Sequence, residues 1–78
     1  MKAKGKSIYK GITRRWRKTI EDVEYWINCR RTFLLDINQY DTFEQTREGN
    51  TITINAHREA KGRLKESEVT YILTITEE

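Results

Sequence analysis

In the stretch DTFEQTREGNTITINAHREA, the pair Gly49-Asn50 separates two runs that alternate in polarity. A two-residue hairpin loop needs a positive φ at one or both central positions, and glycine at the first supplies it. Taken literally, that turn pairs Phe43 with Ala56, Gln45 with Ile54 and Arg47 with Ile52. The opposite face pairs Glu44 with Asn55, Thr46 with Thr53 and Glu48 with Thr51. One face is half apolar and the other wholly polar, the pattern of an antiparallel sheet covered on one side. A second reversal is expected at residues 60–63, and a last strand at residues 67–76. That strand places Val69, Tyr71, Leu73 and Ile75 on one face, and Thr70, Thr74 and Thr76 with Ile72 on the other. Covering Ile72 would fall to the N-terminal strand or to a second subunit.

The cover for the apolar face is expected from residues 19–31, TIEDVEYWINCRR. Thr19 reads as the N-cap of a helix, Glu21 and Asp22 suit its positive end, and Arg30 and Arg31 its negative end. At helical spacing Ile20, Val23, Trp26, Ile27 and Leu34 share one stripe. The competing reading is a strand, because Val23, Tyr25, Ile27, Cys29 and Phe33 also alternate and these residue types favour sheets. The end signals favour the helix. In residues 32–37, TFLLDI, the extended reading puts Phe33, Leu35 and Ile37 on one face, with Leu34 pointing away or closing the helical stripe. Before the helix, a short strand is expected over residues 8–15. The predicted fold is α+β, two layers, one helix on an antiparallel meander of about four strands, with an all-β small barrel or meander as the alternative.

With 78 residues the chain has room for a single domain and a small core. Residues 1–6, rich in lysine, read as a flexible basic arm, and residues 7–78 as the domain. No apolar run approaches the roughly 18 residues of a membrane span, and no apolar segment follows the basic N-terminus as in a secretion signal. The single cysteine, Cys29, has no partner for an internal disulfide. These features together predict a reduced, cytoplasmic setting.

Catalysis is not expected. One histidine, His57, and one cysteine give no clustered metal ligands, and Gly5, Gly11, Gly49 and Gly62 are too scattered to form a phosphate-binding loop. Glu21, Asp22 and Glu24 are accounted for by the first helical turn, and Asp36 and Asp41 by a turn. No cofactor is called for.

The charge distribution carries the functional reading. Although the net charge is only +3, residues 1–18 hold eight basic side chains and no acid. The segment IYKGITRRWRK interleaves aromatics with cations, a combination that neutralises phosphates and stacks on bases. The candidate nucleic-acid-binding set is Lys6, Tyr9, Lys10, Arg14, Arg15, Trp16, Arg17 and Lys18, extended by Arg30 and Arg31. The expected function is a small nucleic-acid-binding protein without catalysis. The alternative is a protein-binding module or inhibitor, of the kind phage and mobile elements use as accessory proteins, acting on a nucleic-acid-associated partner. A third expectation is a homodimer joined through an exposed sheet edge.

Overall fold

Five strands and one helix follow one another in the computed structural model, which describes residues 1–77. They are β1 (Lys2–Tyr9), β2 (Ile12–Thr19), α1 (Val23–Thr32, prolonged by a π-helical turn at Phe33–Ile37), β3 (Thr42–Glu48), β4 (Thr51–Arg58) and β5 (Ser67–Glu77). All neighbours are antiparallel and the spatial order is β2-β1-β5-β4-β3. An N-terminal hairpin and a C-terminal three-strand meander are thus joined where β1 meets β5, and α1 carries the chain from one sheet edge to the other. Mostly sheet with one helix, the fold keeps the two-layer α+β plan.

The Gly49-Asn50 turn sets the register that its chemistry requires. Gly49 has a φ of +61°, and Phe43 opposes Ala56, Gln45 opposes Ile54 and Arg47 opposes Ile52. The second reversal closes between Lys61 and Leu64, which exchange both backbone hydrogen bonds. The first eighteen residues depart from expectation. Residues 2–6 are no arm outside the domain; they begin β1, paired with β2 on one side and β5 on the other. The strand expected over residues 8–15 is in fact split by a two-residue turn at Lys10-Gly11. Both have positive φ, 52° and 76°, the form that matches strand twist best and that glycine at the second position permits.

Helix α1 starts later than its end signals implied. Thr19 is the last residue of β2, and Asp22 is the N-cap, its carboxylate accepting from the Tyr25 N–H at 3.2 Å. The three residues between β2 and α1 let Ile20 turn down into the core. Val23 and Ile27 are buried against Ala3, Ile20, Ile52, Ile54, Leu73 and Ile75. Ile27, Ile52, Ile54 and Leu73 are almost wholly buried, and each contributes about 1.5–3 kcal/mol by leaving water.

Residues 33–37 do not alternate as an extended run. The helix continues through them with wider turns, Asn38 donating to the Phe33 carbonyl at 3.1 Å, and Gln39 stops it at φ 56°. Leu34 closes the buried stripe with Tyr40, Ala56 and Val69, while Phe33 and Ile37 stay exposed. The smallest dimension of the molecule is 19 Å, the thickness of one sheet plus one helix. Among the described residues the second face of the sheet therefore carries no covering layer.

Candidate functional site

Strand parity decides where the N-terminal cations go. Side chains alternate along a strand, and the β1–β2 register places Gly5 opposite Trp16, Lys6 opposite Arg15, Lys4 opposite Arg17 and Ser7 opposite Arg14. The Trp16 ring lies over Gly5, where any β-carbon would fall within the ring's van der Waals envelope. That fixes the helix side. Ala3, Gly5, Ser7 and Tyr9 share it with Ile12, Arg14, Trp16 and Lys18. Lys2, Lys4, Lys6 and Ile8, with Thr13, Arg15, Arg17 and Thr19, project from the uncovered face.

The hydrogen-bond pattern sharpens this. Ile20 donates to the Met1 carbonyl at 2.9 Å and the Met1 amino group donates to the Ile20 carbonyl at 3.1 Å. Met1–Ile20 is therefore a hydrogen-bonded pair, and so, at alternate steps, are the pairs Ala3–Lys18 and Gly5–Trp16. Lys4–Arg17 and Lys6–Arg15 are the intervening pairs, whose Cα atoms approach to about 4.5 Å. Like charges directly opposite one another destabilise a sheet. Here two such pairs stand side by side, and among the described residues none of the four forms an ion pair. Lys4, Lys6, Arg15 and Arg17, with Gly5 and Trp16 between them and Ile72 and Thr74 of β5, line a shallow groove of about 660 Å³. Ile72 is thus half covered by its basic neighbours on β1.

Across the same face the charge changes sign. The middle is a field of threonines, with Thr51 opposite Thr74 and Thr46 opposite Thr53. The far edge carries Glu44 and Glu48 on β3. The uncovered face is therefore cationic at β1–β2 and acidic at β3, with Glu68 of β5, opposite His57, adding an acid between them at one end.

The candidate set is divided by this geometry. Lys6, Arg15 and Arg17 are brought together on the open face, joined by Lys4. Arg14 points to the helix side near the turn and is exposed. Lys10 sits in the turn, its Nζ 5.3 Å from the centre of the Tyr9 ring. Tyr9 is 42% exposed on the helix side beside Ile12 at 61%. Its phenol titrates below the usual tyrosine range, through hydrogen bonding to Ser67 and the nearby Lys10 charge. Trp16 is half-buried, its ring centre 5.8 Å from that of Trp26, which in turn meets Tyr71 edge-on. The Lys18 ammonium lies 4.8 Å from the Trp16 centre and 5.9 Å from that of Trp26. Trp16 packs over Gly5 under a cation, so its indole is engaged within the fold. Arg30 and Arg31 stack on Phe33 and Phe43 respectively. They belong to the helix end, and Arg31 leans toward the acidic edge of the sheet, apart from the groove.

Lys4 belongs to the groove and was not in the candidate set. Its signal was present: Lys2, Lys4 and Lys6 recur at every second position, the period of a strand face. Among the described residues no group of three or more His, Cys, Asp or Glu side chains gathers as a metal ion would require. Among the same residues no helix is long and apolar enough to cross a membrane. No protein-family model, curated protein or solved structure matches this chain.

Proposed function

We propose that this chain is a non-catalytic nucleic-acid-binding protein that holds the phosphate backbone on Lys4, Lys6, Arg15 and Arg17. One observation carries the reading. Two like-charged pairs face each other at the closest cross-strand positions, with no acid from the described residues between them. That arrangement costs folding energy, and a polyanion lying along the groove relieves it. The cations repeat about every 6.6–6.8 Å along each strand and about 4.8 Å between strands, a lattice suited to a linear run of charges. Ile72 gives the groove an apolar floor. Base contact by Trp16 is not part of this reading, because Lys18 and Trp26 already occupy its ring.

The test is anisotropy of a labelled mixed-sequence oligonucleotide as salt is raised from about 50 to 200 mM, where each neutralised phosphate contributes about −0.7 (single strand) to −0.9 (duplex) to the log–log slope. Four contacts give a slope of about −2.8 to −3.6. Absence of binding at the low-salt end overturns the proposal.

A second reading, a module that captures an acidic protein, draws support from the open edge of β2 beside the same cations, since an extended segment can add to such an edge. Recovery of one protein after nuclease treatment would favour it over the first.

A further inference from the structure

The cations of β2 do not all face one way, and β2 is an edge strand. Arg15 and Arg17 project from the open face, whereas Arg14 and Lys18 project from the helix side of the same strand. A nucleic acid lying flat on the open face would meet only the first pair. We infer that β2 enters the major groove of duplex DNA edge-on, so that phosphates of one strand face Arg15 and Arg17 while those of the other face Arg14. This rests on the nucleic-acid-binding reading and specifies its substrate class.

Thickness selects the groove. Packed sheets stand about 10 Å apart, which is the depth one sheet takes with side chains on both faces. The major groove of B-form DNA is about 12 Å wide and admits a two-stranded ribbon, whereas the minor groove, at about 6 Å, does not. The major groove of an RNA helix is too deep and narrow to enter. The turn-proximal half of the hairpin stands off from the helix: Ile12 is 61% exposed, Arg14 is exposed and faces Phe33 and Leu34 of the π-helical turn across a cleft, and ring contact with α1 comes further along, at Trp16 and Trp26. Lys4 and Lys6, one strand inward, face the same groove wall as Arg15 and Arg17.

The backbone supplies what meets the groove floor. The pairing set by Met1 and Ile20 turns the N–H and C=O groups of Thr13, Arg15 and Arg17 outward along the free edge. Main-chain groups present the same donors and acceptors whatever the side chain.

Arg14 and Arg15 are a matched pair for the test. They are adjacent, exposed and on opposite faces of one edge strand. Arg14→Gln and Arg15→Gln would be compared with wild type on a short mixed-sequence DNA duplex, its single strand and the corresponding RNA duplex. Thermal unfolding would confirm that each variant folds. Edge-on entry predicts preference for the DNA duplex and a salt slope shallower by about 0.9 in each variant. It also predicts displacement by the major-groove ligand methyl green but not by the minor-groove ligand netropsin. If Arg15→Gln weakens binding and Arg14→Gln leaves it unchanged, the nucleic acid lies on the open face, and the inference fails while the functional reading stands. Equal affinity for all three nucleic acids has the same meaning. If none of them binds at low salt, both fail.

Discussion

Neutralising one facing pair, as Lys6→Gln with Arg15→Gln, should move binding and stability in opposite directions. The two side chains oppose each other at a close cross-strand position on the open face, without an ion-pair partner among the described residues. Removing two phosphate contacts from a duplex complex makes the log–log salt slope shallower by about 1.8. Over a fourfold rise in salt the variant should then lose about 12-fold less affinity than wild type. Relief of the repulsion is worth about 0.2–1 kcal/mol. For a domain of this size that raises the midpoint of thermal unfolding by roughly 1–8 °C. Titrations at several salt concentrations, paired with calorimetry of the free proteins, measure both quantities. A variant that loses stability, or that keeps the wild-type slope, would refute the reasoning, because the pair would then be supporting the sheet or standing away from phosphate.

Three further outcomes follow from the packing. Gly5→Ala should destabilise the fold by about 1–3 kcal/mol, since the new methyl displaces the Trp16 ring from its place beside Trp26; an unaltered near-UV circular dichroism spectrum and unfolding midpoint would contradict this. Asp22→Ala should cost about 0.5–2 kcal/mol through loss of the cap to Tyr25, with Thr19→Ala much milder in the same denaturation series. Asp41 titrates below the usual carboxylate range because the Lys61 ammonium and then the Glu59 N–H bond to it. A carboxylate so lowered lends stability above its unfolded pKa of about 3.9 and loses it as pH falls through the folded value. The stability gap between wild type and Asp41→Asn should therefore narrow on acidification below about pH 4, and a gap unchanged down to pH 2 would exclude the ion pair as its source.

What could be read in advance depended on how local the determining signal was. The β3–β4 register follows from Gly49 alone, so every pair deduced from it is found. The helix was separable from a strand by its ends, but the cap moved from Thr19 to Asp22 because β2 needs Thr19 to pair with Lys2. The first hairpin was hidden because Lys10-Gly11 is a weaker turn signal than Asn-Gly, and it calls on a lysine to adopt a positive φ. Missing that turn also concealed the site. Alternation sends Arg14 and Arg15 to opposite faces only once the segment is known to be a strand, and Trp16 leaves the surface only because residue 5, directly opposite, has no side chain. Arg30 and Arg31 were grouped with the N-terminal cations by charge, yet the rings that hold them, Phe33 and Phe43, lie elsewhere in the fold.

The placement of β1 against β5 has a consequence for the order in which the molecule is made. In this sheet β1 pairs along its whole length with β5, which is made well after it, so the sheet stays in two pieces until β5 has been synthesised. Loop closure over such a separation is slow. Until then the cationic hairpin stands without its inner neighbour, and a nascent chain reaches the polyanions around it before it can shut its own seam.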